Sequence, residues 1–287
     1  MQLLLEQILN GLAVGALYAL ITLGLALVYG ILRILHVAHA GVYTVGAYLG
    51  LWAFGWSQSL LVASAVAMGG CAVFGVAIER LVYFPLLRYP PYVPLIASIA
   101  VLLGMEEICR LLAGPYILAF PAQVPFPAWK LGPLVFSPTL VAVYVTAGVV
   151  LLSLWYVVGF TEVGLAMRAT AQSRAMADAS GIDSHRIISL TFVLGSAVAA
   201  LAGILVGIYY NQVYPTMGAV PAYKSLAIIV VGGLGSVTGS VVASLLLGLA
   251  ETLLIGFADI PLPRDALAFM AMIGVLMWRS EGLFGSK

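Results

Sequence analysis

The sequence predicts an all-α fold, a polytopic transmembrane helix bundle of about eight spans with a broken or re-entrant Gly-rich segment. Three observations carry that prediction. Hydrophobic residues make up 63% of the chain and charged residues 8%, and mean hydropathy is +1.13, well beyond the ~45–50% apolar content of soluble domains. The apolar residues fall into blocks of the ~20 residues needed to cross a hydrocarbon core of ~30 Å. Short Pro- and Gly-bearing connections separate those blocks, and no stretch has the composition of a soluble domain.

Taken in order, the blocks run near 7–31, 38–56, 59–82, 93–113, 138–160, 187–210, 222–256 and 264–279. The first lacks a basic leader and exceeds the ~7–15 residues of a signal-peptide core, so it is expected to stay as a span. The seventh is too long for one ordinary crossing, and "VGGLGSVTGS" (Val231 to Ser240) in its middle predicts a break. Connections such as "PLLRYPPYVP" and "ADIPLPRD" end helices by removing amide donors. "FPAQVPFPAWKLGP" (Phe120 to Pro133) reads as an aromatic interface segment. Residues 1–287 therefore form a single membrane domain. Small residues four apart, including Gly11 and Gly15, Gly46 and Gly50, and Ser240, Ser244 and Gly248, predict close helix packing.

Net charge of +1 offers no patch for nucleic acid. Cys71 and Cys109 lie in apolar runs without metal-type spacing and read as buried thiols. With the N-terminus outside and one crossing per block, Arg33, Arg80, Arg88, Arg168, Arg174, Arg186 and Arg264 face the cytoplasm, against Arg110, Lys130, Lys224, Arg279 and Lys287 outside. If the seventh block crosses twice, Arg279 and Lys287 move in and Arg264 moves out, which leaves the C-terminal side open. Either count puts Gly159 to Arg186 in the cytoplasm.

That stretch, "GFTEVGLAMRATAQSRAMADASGIDSHR", concentrates six of the chain's charged residues. Thr170 or the residues just before it can start a helix, the alanines favour its interior, and Gly181 followed by Ile182 has the form of a Gly C-cap. Arg174 and Asp178, four apart, can pair weakly. A solvated loop helix is the plain reading, and a knob that docks on a cytosolic partner is the sharper one.

The run "LAMRATAQSRAMADASGIDSHRIISLTFVLGSAVAALAGILVG" (Leu165 to Gly207) resembles the coupling segment and following span of permease subunits in ABC importers of the branched-chain amino acid type. Asn10 to Gly50 is similar to the family's first two spans, and Ala227 to Leu254 to its Gly-rich late segment. The three arrive in the family's order. One departure is visible: where the family has Asn-Phe-Ala-His-Gly, this chain has "HVAHAG", with His36 for the Asn and Ala40 for the Gly. The resemblance implies a coupling segment over 161–186 in which Arg168, Ala169, Thr170, Arg174, Asp178, Gly181 and Ile182 meet the ATPase. It also implies cytosolic ATP-binding subunits, a second homologous permease subunit, an extracytoplasmic solute-binding protein and an amino-acid substrate as partners. The expected location is the cell inner membrane.

Other constellations are weaker. His36 and His39 share a helical spacing, but with no Asp, Glu or Cys nearby they read as interface or helix-end histidines rather than metal ligands. "GGLGSVTGS" lacks the Lys-Ser/Thr of a phosphate loop. Broken backbone at membrane depth is tolerated only where protein or a water-filled cavity covers it, so Gly232, Gly233, Gly235 and Gly239 are candidates to line the translocation pathway, against an ordinary packed kink. Among carboxylates, Glu79 beside Arg80 and Glu107 near Arg110 read as interface ion pairs, and Glu251 stands alone, at the solvated end of its span or within it.

The predicted function is a permease subunit that catalyses nothing itself, binds no cofactor, and carries branched-chain or related amino acids while partner subunits hydrolyse ATP. The alternative is an ion-coupled secondary transporter or channel with solute held near the midplane. A membrane enzyme ranks third, for want of any catalytic motif.

Overall fold

The computed structural model describes residues 2–122, 124, 127–131, 134–257, 264–279 and 281–284. The long apolar blocks fold as helices, as expected: α1 (Gln2–Leu32), α2 (His39–Ser57), α3 (Leu60–Ile78), α5 (Tyr92–Ala113), α6 (Pro138–Phe160), α9 (Ser184–Tyr210), α10 (Ala219–Gly232), α11 (Val237–Phe257) and α12 (Arg264–Trp278). Helix α3 runs on through a π-helical stretch, Glu79–Tyr83, into the short turn α4 (Phe84–Leu86). Among the described residues, five segments are long and apolar enough to cross a membrane: Leu3–Leu32, Leu60–Leu86, Pro138–Phe160, Ser184–Tyr210 and Val237–Phe257.

Helices α1 and α9 are buried along most of their length and form the centre, while α3, α6 and α11 show most of their surface outward. Glycine decides how closely these helices approach. At Gly15 a Cβ would lie 2.8 Å from Cα of Leu245, and Gly248 lies against the backbone of Gly15 and Gly11, so α1 and α11 touch backbone to backbone. Gly46 faces Ala200 and Gly50 faces Ile204, which sets α2 parallel to α9. Without hydrophobic drive between helices in lipid, such contacts supply the van der Waals attraction that holds the bundle.

Two helices begin inside the bundle. Arg33 ends α1 in the left-handed region (φ 57°), the chain turns back, and α2 starts level with Gly24, where a Cβ would lie 2.5 Å from the His39 ring. After α9, capped by the left-handed Asn211, the chain also turns back. Gly218, just before α10, then lies against the Ala40 carbonyl at the start of α2.

The predicted break in the seventh block is present. Helix α10 stops at Gly232 and α11 starts at Val237, with Gly233 (φ 105°) and Gly235 (φ 87°) making a turn that side-chain-bearing residues rarely adopt. Gly232 and Gly239 then pack against each other, closing a helical hairpin rather than a kink. The C-terminal turn closes on this hairpin through Leu283 and Phe284 amides donating to the Val231 and Gly232 carbonyls.

The Phe120 to Pro133 connection, expected as an aromatic interface segment, contains β1 (Trp129–Leu131), which pairs antiparallel with β2 (Leu134–Phe136) just beyond it. Gln123, Pro125, Phe126, Gly132 and Pro133 in that connection, residues 258–263 of the last one, and Lys287 lie outside the described residues.

Candidate transport sites

The polar stretch folds as two helices, α7 (Glu162–Gln172) and α8 (Arg174–Ala179). Their starts differ from the expected one at Thr170. Thr161 caps α7 by accepting from the Gly164 amide, and Ser173 caps α8 by accepting from the Met176 amide. Thr170 lies within α7 and is buried, because it sits on the face turned to the bundle. The Gly181 cap is present: Gly181 (φ 84°) donates to the Asp178 carbonyl while the Ile182 amide reaches back to Ala177, the double bond of a Schellman ending.

Arg168, although exposed, reaches back toward α6. Its guanidinium donates to the Val158 and Gly159 carbonyls, which binds α7 to the end of α6. A Cβ at Gly164 would lie 2.3 Å from the Val157 and Val158 carbonyl oxygens, so only glycine permits this turn. The expected Arg174–Asp178 pair is not the main bond of Asp178. Its carboxylate accepts from the Ser184 amide at 3.1 Å, and the Ser184 hydroxyl and amide hold its pKa below the usual carboxylate range. Arg174 is half-buried, and burial lowers its pKa despite Asp178. Ala169 is half-buried, whereas Asp178 and Gly181 are exposed. Met176, absent from the expected contacts, is 69% exposed on α8. An apolar side chain so exposed on a polar segment was a readable signal.

Beside this segment lies a cavity of about 590 Å³ lined by Gly30, Arg33, Met167, Arg168, Gly235 and Phe284, among others. The end of α1, the α10–α11 turn, the C-terminal turn and α7 thus share one end of the bundle. Of the candidate pathway glycines, Gly235 borders this cavity. Gly232 and Gly239 pack on each other, and Gly233 packs under Gly282.

The second site lies deep in the bundle. Lys224, expected in an outer loop, and Glu251, expected to stand alone, are both 2% exposed and form an ion pair at 2.9 Å. Tyr18 joins them, its hydroxyl 2.8 Å from Glu251 Oε2 and 2.9 Å from Lys224 Nζ. The sequence separates the three by up to 233 positions, so only packing brings them together. A lysine inside an apolar block was the available sign.

Two cavities flank the pair. One, of about 350 Å³, is walled by Val14, Leu17, Ile21, Tyr43, Met217 and Val220 and reaches Tyr18 and Lys224. The other, of about 320 Å³, is bordered by Gln7, Asn10, Val14, Tyr210 and Glu251. Tyr18 stands eight residues, about 12 Å, along α1 from Asn10 and about 18 Å from Gly30 at the other end.

The histidines lie at helix ends, as expected, but inside the bundle rather than at an interface. His36 and His39 are buried, and His36 Nδ1 meets the Tyr83 hydroxyl at 2.6 Å while Tyr83 donates to Ser98. Ser98 in turn accepts from the Ala38 amide, which ties the turn between α1 and α2 to α3 and α5. No group of three or more potential metal-binding side chains occurs among the described residues. Glu79, expected to pair with Arg80, accepts instead from Ser189 at 2.9 Å and is buried, whereas Glu107 and Arg110 do pair at 2.9 Å.

A multi-pass bundle with internal cavities around a buried ion pair and a polar helical pair at one end has the make-up of a membrane transport subunit. Comparison with known proteins names the family. The family described as branched-chain amino acid transport system / permease component matches residues 7–278, and the chain belongs to it. The chain is 33% identical to the high-affinity branched-chain amino acid transport system permease protein BraD of Pseudomonas aeruginosa, over 98% of this chain and 95% of that one. It is 30% identical to LivH of Escherichia coli K12, at the same coverage. A chain of the PsaBC complex of Streptococcus pneumoniae shares the fold (TM-score 0.51, 11% identity, 92% of this chain and 87% of that one). The resemblance read from the sequence is thus confirmed, and the protein is a transport component of an ABC importer rather than an enzyme.

Proposed function

We propose that this chain is one of two permease subunits of an importer for branched-chain or related aliphatic amino acids in the cell inner membrane, forming one membrane domain over 1–287. In this reading the seventh block crosses as two arms, so that with the N-terminus outside the C-terminal turn lies in the cytoplasm with α7 and α8. Placing the C-terminal turn beside Gly232 supports that choice, and Arg33, Arg168, Arg174 and Arg279 then share the cytoplasmic side, in keeping with the positive-inside rule. The broken hairpin carries Gly232, Gly233, Gly235 and Gly239 at the inner mouth of the pathway, where Gly235 borders the cavity beside Arg168.

Segment 161–186 is the coupling element. The observation that carries this is its division of labour. Arg168 and Thr170 fasten it to the bundle, while Asp178, Gly181 and Met176 lie exposed at its outer end, flanked by Ala169, Arg174 and Ile182. Such a short helix, rigidly based and apolar at its tip, suits a groove on a cytosolic ATPase. A solute-binding protein would dock at the opposite end, near Asn10 and Tyr210.

The group singled out for the ion-coupled alternative, Glu251, is paired with Lys224, which favours the ATP-driven reading. The test is assembly and hydrolysis with the ATPase: Met176→Asp and Arg174→Glu are expected to abolish substrate-stimulated ATP hydrolysis and weaken co-purification. Unchanged hydrolysis and association in both variants would reject the coupling role.

A further inference from the structure

We propose that Lys224, Glu251 and Tyr18 form the recognition point of the pathway, where a zwitterionic aliphatic α-amino acid is read through both of its charged ends. This deepens the transport reading above and rests on it.

The ion pair sits between two cavities that share Val14 and Tyr210, so a solute moving from one to the other passes it. Lys224 and Tyr18 line the larger, mainly apolar cavity, and Glu251 lines the smaller one beside Gln7 and Asn10. Both cavities are at the lower end of the ~300–1,000 Å³ range of small-ligand pockets. Lys224 Nζ also lies 4.9 Å from the Tyr18 ring centre, which holds the ammonium against that ring.

The chemistry of the cluster selects the ligand class. A carboxylate entering the larger cavity takes the place of Glu251 at Lys224 Nζ and the Tyr18 hydroxyl. Glu251, released, accepts from the ligand's α-ammonium, and the aliphatic side chain lies against Leu17, Ile21, Met217 and Val220. Pair and ligand are each net neutral, so the exchange leaves no charge unpaired in a buried place. A fatty acid leaves Glu251 without a cation, and an alkylamine leaves Lys224 without an anion. Sites built to bond a ligand group reject analogues lacking it by orders of magnitude.

A purely structural ion pair is the competing account, and the two accounts separate on a neutral double variant. Replacing both members of a buried pair with neutral shapes is often harmless or stabilising to the fold. The assembled transporter with its ATPase and binding protein is reconstituted in liposomes, and leucine carried per ATP hydrolysed is measured. Lys224→Met/Glu251→Gln is expected to assemble with its ATPase, shown by co-purification, while leucine carried per ATP hydrolysed falls at least ~10-fold. Tyr18→Phe, which keeps the ion pair, is expected to lose several-fold in the same ratio, and it serves if the double variant fails to assemble. A ratio within twofold of the parent in either variant overturns the site while leaving the coupling role intact. If the parent protein carries no leucine, the transport reading itself fails, and this inference with it.

Discussion

Adding one methyl group at Gly46 tests whether close helix contact holds this bundle. Its Cβ would lie 2.3 Å from Cα and 2.7 Å from Cβ of Ala200, against an ordinary contact of 3.4–4 Å, so α2 and α9 must part by about 1 Å. Neither contact is with a flexible side-chain end that could turn away. Overpacking of this kind costs ~1–3 kcal/mol, and the better helix propensity of alanine returns ~1 kcal/mol. Gly104 on α5 has nothing within 4 Å of its Cβ position, so the same substitution there gains ~1 kcal/mol from propensity alone. The propensity gain is common to both, so the two variants are expected to differ by about 1–3 kcal/mol, which at ~2–4 °C per kcal/mol separates their melting temperatures by about 2–12 °C. The assay is thermal unfolding in detergent followed by the monodisperse fraction. Equal melting of Gly46→Ala and Gly104→Ala would refute the claim that glycine is needed for the α2–α9 approach.

Tyr83→Phe leaves the buried His36 Nδ1 and Ser98 hydroxyl without their shared partner and is expected to cost ~1–3 kcal/mol in the same unfolding assay; a cost near zero would show that the network is not stabilising. Because the folded-state pKa of Asp178 is depressed by the Ser184 bonds, their contribution is fully present above the ordinary carboxylate pKa and is lost as pH falls through the folded value. The protection factor of the Ser184 amide, its exchange rate set against the intrinsic rate at each pH, is therefore expected to fall on acidification, and Asp178→Asn should flatten that dependence; an identical pH profile in the variant would count against it. Gly164→Ala is expected to free α7 from α6, since its Cβ meets the Val157 and Val158 carbonyls, and to reduce ATPase coupling before it reduces expression; intact coupling would show the turn tolerates strain. A cysteine at Ser173 is expected to react with membrane-impermeant maleimide only from the cytoplasmic side, and labelling from the opposite side would overturn the topology.

What could be read in the sequence follows from local rules. Blocks of apolar residues long enough for a membrane identify the helices, Gly233 and Gly235 announce the broken hairpin, and Gly181 with Ile182 announces the end of α8. Each depends on residues within a few positions of one another. The helix start was misplaced at Thr170 because Thr161 and Ser173 both carry capping hydroxyls, and local chemistry alone does not rank several possible caps. The family was legible for a related reason: its motifs are contiguous runs.

The ion pair was not legible, because Lys224 and Glu251 are 27 positions apart on different arms of the hairpin and Tyr18 is on α1. A lone charge in an apolar block shows only that some partner or solvent is required. Which one is decided by how α1, α10 and α11 pack. The buried turn holding His36 and His39 is similar: hydropathy places it at a helix end, but only the packing of α2 along α9 draws that end into the bundle. The sequence by itself thus determined which long apolar segments are helical, where the seventh of them breaks and which family the chain joins, since those depend on composition and near neighbours. The tertiary structure alone decided which charges meet, which helices start inside the bundle and which face of α7 and α8 is free, because those are set by contacts between residues distant along the chain.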